Sequence, residues 1–520
     1  MPGCQLAPTK NHYYPNCRCR YPLTLRPDLH YLYLWLLVNQ QHCVSGQSKE
    51  PARGSFKLGE DRFFIKVNYP GTTDTPNTPN RIKPVHTTCI QIECGWINPL
   101  KHNTDVEEEY DDDDPEGFEE ILCQISIRLD RTVDSNKLPF VLQCYAQWIS
   151  QSVFEPLKIA YTTKDTISQQ FSLSQASRSR LLMISQIMRK LAKHRALDEE
   201  GSMLLELLRH EIWQNVAAFR SGQWSENEER ENAILALNNT FEFVGMQAAS
   251  GPLSEILCLI QLAAPVFLKA CPSPYPHMSE ILLEVNVNLG HFVVVDVASS
   301  ITTGRPLQCR YHVPWSLEYC DEFIRKREDR GSQWLLGIPD QFLMLLAYMN
   351  NLREDAITAN TVIDPAMIER IGDDIRAINM LPCESREPTL AILRTVVQEC
   401  WRQVVLIYLY MALGRTDALD SRVKKAHKSF MKLVNGTKPG RNLDALLMLP
   451  ATIAGVAATK STHRHTIISR ILSVPKYTNS NTAWNDHLHL LKDVWTRTAT
   501  EGRAARWDDL REACWRITGV

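Results

Sequence analysis

The sequence has almost no surplus charge: 57 Lys and Arg stand against 59 Asp and Glu, a formal net charge of -2 over 520 residues. A chain that neutralises many nucleic-acid phosphates by itself carries a marked positive excess, so this balance excludes most of the chain as a DNA-contacting surface. Long hydrophobic runs are missing too. Leu29–Val38 (LHYLYLWLLV) and Val404–Leu413 fall well short of the roughly 20 apolar residues that a membrane span needs. The first of them follows Pro22 and Pro27, not a basic segment, and Cys43-Val44-Ser45 is a poor leader cleavage site. No membrane partner is expected. The 15 cysteines are too sparse for a disulfide scaffold. They are scattered through apolar stretches, as at Cys144, Cys258, Cys271, Cys400 and Cys514, and read as reduced, buried small hydrophobes. That points to a nucleus or cytosol.

Motifs that would carry chemistry are also lacking. Lys438-Pro439-Gly440-Arg441 has neither the preceding strand nor the glycine spacing of a phosphate loop. Val297-Ala298-Ser299-Ser300 lacks the glycines of a nucleophile elbow. His463 and His465, and His487 and His489, are pairs two apart. On a helix such pairs point in different directions, so they are expected to be surface or helix-end histidines and not metal ligands. Asp111–Asp114 has the carboxylate spacing of magnesium-dependent isoprenoid synthases, which makes such a helical enzyme the enzymatic alternative. Those carboxylates would have to project from a helix wall into an apolar cavity, whereas these run into Pro115 ahead of the helical region. Asp373-Asp374 and Asn485-Asp486 have the wrong flanking spacing. No catalytic, cofactor-binding or metal-binding residue is therefore assigned, no cofactor is expected in this chain, and the chain is not read as an enzyme.

What the sequence does contain is organised in three parts. Residues 1–104 mix short aromatic runs, prolines and polar turns such as PGTTDTPNTPN, without sustained period, and are expected to be irregular and disordered. Residues 105–120 (DVEEEYDDDDPEGFEE) form an acidic linker. Like charges packed this densely repel one another and stay solvated, and Tyr110 and Phe118 also give the stretch the acidic-aromatic character of an activation segment. From Leu138 to Val520 helical periodicity takes over. Phe140, Val141, Cys144, Trp148 and Ile149 recur at three- and four-residue steps, as do Leu181, Ile184, Ile187, Met188 and Leu191. Met203–Phe219, Glu231–Met246, Leu253–Leu268, Met278–Ala298, Gln341–Met349, Pro388–Leu413, Asp444–Ala458, His463–Leu472 and Ala483–Thr498 continue the pattern. The one β-branched run, Phe292–Val297, is flanked by helical sequence. The fold class is therefore all-α, a large multi-helix domain behind an irregular N-terminal region. Arg415, Arg422, Lys424, Lys425, Lys428 and Lys432 form a basic helical face, read as solvated or as a contact for phosphate or an acidic partner. Trp495, Trp507 and Trp515 are expected to close the core.

Three stretches resemble the second type of fungal-specific transcription factor domain, the regulatory part of zinc-cluster regulators. LPFVLQCYAQWISQSVFEPLKIA resembles its opening, FVVVDVASSITTGRP (Phe292–Pro306) resembles an apolar helix ending in a Gly-Arg-Pro turn, and Leu491–Val520 is similar to its closing helices. The resemblance implies a nuclear transcription regulator that works through a helical regulatory domain over residues 138–520. Its partners would be the transcriptional machinery or other proteins, a small-molecule effector, or a second copy of the chain. Family members carry a zinc cluster whose short helix enters the major groove. Here Cys4, Cys17, Cys19, Cys43, Cys89 and Cys94 do not follow the Cys-x2-Cys-x6-Cys spacing, so zinc and DNA contact are expected only through a cluster elsewhere. A helical scaffold without DNA binding is the alternative within the same class.

Overall fold

The structure is a computed structural model. It describes strand residues 53–58 and 61–66, and residues 114–520 except 115, 124–133, 194–195, 274, 329, 382–384, 386 and 475–476. The N-terminal cysteines, Leu29–Val38 and residues 105–113 of the acidic stretch, including three of the four Asp111–Asp114 carboxylates, lie outside the described residues.

Two short strands, β1 (Arg53–Leu58) and β2 (Asp61–Lys66), pair as a two-stranded sheet. They add regular structure to a region expected to be irregular. All other described elements are helical, and the all-α expectation is met.

The first group of helices is long and closely connected. A short helix α1 (Phe118–Cys123) is followed by α2 (Lys137–Ser152), α3 (Ala160–Leu173), α4 (Gln175–Lys193), α5 (Glu199–Ser221), α6 (Glu226–Ser250) and α7 (Leu253–Ala270). Their ends obey local chemistry. The Asp198 carboxylate accepts the Gly201 N–H at 2.8 Å, and Glu199 and Glu200 sit in the first turn of α5 where the helix dipole favours negative charge. Before α6 the Glu228 carboxylate reaches back to the Ser225 N–H at 3.1 Å. α7 is apolar and long enough to cross a bilayer by composition alone. In this chain it packs against α6, and Leu253, Ile256, Leu257, Leu259, Ile260, Val266 and Phe267 are buried in the core.

The second group is more broken. Met278–Ala298, expected as one stripe, is two helices, α8 (Met278–Leu282) and α9 (Val287–Thr303), because Asn286 caps a new start by accepting the Asn288 N–H. The β-branched run Phe292–Val297 lies inside α9, where burial against neighbouring helices overrides its strand propensity. Gly304 ends α9 at φ +71, as its Gly-Arg-Pro turn predicts, and a Cβ there would meet the Arg511 backbone nitrogen at 2.8 Å. Then come α10 (Leu317–Lys326), α11 (Gln333–Leu336), α12 (Asp340–Thr358), α13 (Pro365–Ala377) and α14 (Pro388–Tyr408), the last continued by a π turn, Leu409–Leu413. α15 (Ser421–Asn435), α16 (Arg441–Leu446), α17 (Met448–Val456), α18 (Ser461–Leu472), α19 (Ala483–Thr500) and α20 (Asp508–Thr518) complete the body. Asp486 of α19 accepts the Leu253 N–H at 2.8 Å and so caps α7 from 233 residues away.

Two tryptophans behave as expected and one does not. Trp495 and Trp507 are buried, whereas Trp515 is 67% exposed, on the outer face of α20 opposite Leu510, Ala513 and Cys514. Cys144, Cys271, Cys400 and Cys514 are buried and Cys258 partly so. Burial pushes the Cys400 and Cys271 thiols upward, so they act as hydrophobes and not as nucleophiles.

Candidate functional site

The helices line a partly open cavity of about 340 Å³. Its walls come from both groups: α2, α6 and α7 from the first, and α9, α11, α14, α16, α17 and α19 from the second. The space exists because small residues replace large ones along one face of α6. Gly245, Ala248 and Ala249, at three- and four-residue spacing, all line it, and Ala298 of α9 and Ala483 of α19 do likewise. Aromatic side chains of Trp148, Phe241, Trp334 and Trp484 supply much of the remaining wall. This combination of apolar wall and few polar groups is typical of small-molecule sites of about 300–1,000 Å³.

The polar groups are few and specific. Tyr145 donates to Glu242 at 2.7 Å, and Glu242 also faces Arg180 at 3.8 Å. Burial raises the Glu242 carboxyl, and burial together with Glu242 pushes the Tyr145 phenol well up. His291 lies edge-on to Phe241, ring centroids 4.8 Å apart. Burial lowers both His291 and His487 to about 4, so both rings are neutral at pH 7. The Nδ1 of His487 is buried with no hydrogen-bond partner. A neutral imidazole offers one donor and one acceptor, and the acceptor or donor at Nδ1 of this cavity-lining ring is not consumed by the described residues.

The fourth polar element is an ion pair. Arg394 of α14 donates through both Nη atoms to Glu116, at 2.8 and 2.6 Å, and each side chain is only 4% exposed. The segment carrying Glu116 is held by Asp114, whose carboxylate accepts the Phe118 and Glu119 N–H groups at 3.0 and 2.7 Å. Phe118 is fully buried and Leu122 nearly so. The expectation of a solvated linker therefore fails for residues 116–118. The alternating acids end in an apolar residue that docks, and hydrophobic burial fixes the charges beside it.

The other candidates named from the sequence lie away from the cavity or in ordinary structural roles. Asp114 lines it but caps α1. Asp373 pairs with Arg376, Asp374 accepts the Trp315 indole N–H, and Asp486 caps α7. Among the described residues no group of three or more His, Cys, Asp or Glu is placed to hold a metal. The histidine pairs split: His465 and His489 are exposed, but His487 is buried, which corrects its reading as a surface residue. Lys424, Lys425, Lys428 and Lys432 are exposed along α15, while Arg422 is tied to Asp420 and Glu369. Sequence reasoning missed His291, Arg394 and Glu116. The available signal was a lone histidine in the apolar run LGHFVVVDV and an arginine on the helical stripe of α14.

Fold and cavity define a class: an all-helical body built around a partly open, mainly apolar space. Residues 283–518 match the family model of the fungal specific transcription factor domain. Over that stretch, somewhat under half of the chain, the sequence is similar to a fungal specific transcription factor domain, which supports a transcription regulator of the fungal type. The match takes in two of the three stretches that carried the resemblance, FVVVDVASSITTGRP and nearly all of the C-terminal run, and begins after the third. No curated protein and no solved structure matches the chain.

Proposed function

We propose that this chain is a nuclear transcription regulator whose helical body, residues 138–520, binds a small-molecule effector in the cavity and passes its occupancy to the transcriptional machinery. The observation that carries this is a mainly apolar cavity of about 340 Å³ whose wall includes a few polar side chains, among them His487, Glu242 and Arg394, an arrangement suited to a ligand that buries carbon and orients by hydrogen bonds. No enzymatic role is proposed. Neither histidine is paired with a nucleophile, and buried neutral imidazoles without an orienting carboxylate are poor general bases. Contact with DNA would pass through a zinc cluster, whose spacing Cys4, Cys17, Cys19, Cys43, Cys89 and Cys94 do not provide.

The test tethers the full chain to a heterologous DNA-binding module and reads a reporter. The expected result is reporter output different from the module alone, together with a changed output when Ala249→Phe fills the cavity at unaltered Tm. A chain that leaves the reporter untouched overturns the regulatory reading. A chain that acts equally well with the cavity filled overturns the effector reading and favours a scaffold that works through its surface.

A further inference from the structure

The Glu116–Arg394 pair sits at an unusual place for a structural tie. Both residues line the cavity, and Arg394 is the one lysine or arginine among the described lining residues. Its only carboxylate partner among the described residues is Glu116, met in the two-pronged geometry that guanidinium groups use for carboxylates. The guanidinium is fixed from behind, 5.7 Å from the Phe154 ring, and its Nε is buried without a partner. Glu116, by contrast, comes from a turn. Gly117 beside it has φ +70, and a Cβ there would meet nothing nearer than Glu120 Oε2 at 3.9 Å, so the turn has room around it. The other ionisable groups of the cavity compete poorly for a negative charge. Glu242 is engaged by Tyr145 and Arg180, and His291 and His487 are neutral.

We propose that Glu116 is a built-in substitute for the carboxylate of the effector, and that the effector is a monocarboxylic acid with an apolar tail. This rests on the effector reading of the cavity. Such an acid exchanges one carboxylate for another on Arg394, so the buried guanidinium never loses its counter-charge. The driving force is the apolar tail, which leaves water for the wall formed by Trp148, Ile149 and Phe241. Glu116 then turns outward to solvent about the Gly117 turn, while Phe118 and Leu122 stay docked. An uncharged ligand of the same length has nothing to exchange and leaves Glu116 in place. Occupancy by an acid would thus be reported by the end of the acidic stretch, on the outside of the body.

The experiment uses the full chain with straight-chain fatty acids from octanoate to hexadecanoate, each matched by the alcohol of equal length. Binding is read by tryptophan fluorescence and by calorimetry. The wild-type chain is expected to prefer the acid. Glu116→Gln, which removes the competing charge and keeps the shape, should tighten the acid about tenfold and leave the alcohol unchanged. Arg394→Lys should weaken the acid preference, and cleavage after Glu116 by a glutamate-specific protease should rise with acid but not with alcohol. Alcohols that bind the wild type as tightly as acids, or a Glu116→Gln affinity for acids equal to wild type, overturn the proposal while the effector cavity stands. If neither series binds the wild type or Glu116→Gln, with Tm retained, the effector reading falls with it.

Discussion

The two groups of helices solve the same packing problem with different means. From α2 to α7 the helices are long and joined by short turns, and their ion pairs lie between helix surfaces: Arg209 with Glu255, Arg180 with Glu211, Lys190 with Asp198 and Glu200. From α8 onward the helices are shorter and the connections longer, and buried aspartates organise those connections. Asp296 accepts the Gln308 and Cys309 N–H groups and the Tyr311 hydroxyl. Asp340 takes Arg327 and the Ser332 N–H, and Asp444 takes Arg470, Ser473 and the Gly440 N–H. Asp509 gathers Arg497, Arg503 and the Arg506 N–H. Burial pushes the Asp509 carboxyl up, but these donors outweigh it and hold it at about 2.

The difference has a physical lesson. A helix stripe asks only for apolar character at a given spacing, which many side chains meet. A loop wound around one carboxylate asks for that residue, because its buried N–H groups have no other acceptor. The family match falls on residues 283–518, the part rich in such loops. The cavity ignores that boundary and takes its walls from both sides of it.

The largest expected effect tests the aspartate side of this contrast. Asp296→Ala leaves the Cys309 N–H and the Tyr311 hydroxyl buried, and the Gln308 N–H half-buried, without their acceptor, and should cost about 3–5 kcal/mol in chemical denaturation. A loss no greater than that of an exposed change would show that the connection after α9 does not depend on its carboxylate. The next effect sets one substitution against itself. Gly304→Ala meets both a left-handed backbone and the Arg511 main chain and should cost about 2 kcal/mol or more. Gly245→Ala in α6, where the new Cβ meets only the Trp148 ring at 3.9 Å, should gain about 0.5–1 kcal/mol. Equal signs in Tm would erase the distinction between the two groups.

A further effect appears only in acid. His291, His427 and His487 are lowered by burial to about 4, so between pH 6.5 and 4 the unfolded chain takes up protons that the folded one refuses. Stability is full above that window and falls through it. Asp296 works the other way, since burial raises its carboxyl to about 6 and the folded state holds its proton between about 4 and 6. His487→Gln should flatten the acid limb, by up to about 3 kcal/mol at full protonation of the unfolded ring. A limb identical to wild type would mean that this ring is already charged in the fold.

Much of the fold could be read from the sequence where a single local rule decides it. The stripes of α2, α4, α5, α7 and α12 are apolar faces of period 3.6, and the Gly-Arg-Pro stop needed only the left-handed tolerance of glycine. Helices α3, α10 and α13 escaped because their stripes are short and interrupted by charge, and α8 and α9 were fused because Asn286 was not recognised as a cap. Trp515 was misplaced because which face of a final helix looks outward depends on what lies beneath it. The site was far less legible. Glu116 and Arg394 are 278 residues apart and each is unremarkable alone; their pairing is a property of the fold. A cavity is harder still, since it is made of residues that are small where large ones would also have kept the helix.

Asp486 gives the fold a direction in time. The start of α7 is finished only when a carboxylate 233 residues later arrives at it. At synthesis rates of about 5–20 residues per second, that is a wait of roughly 10–50 s during which one of the most apolar helices of the chain has emerged without its cap or its final neighbours. A chain built this way cannot complete its first half before its last helices are made. The newborn protein therefore depends on whatever shields exposed apolar surface in the cell until α19 is released.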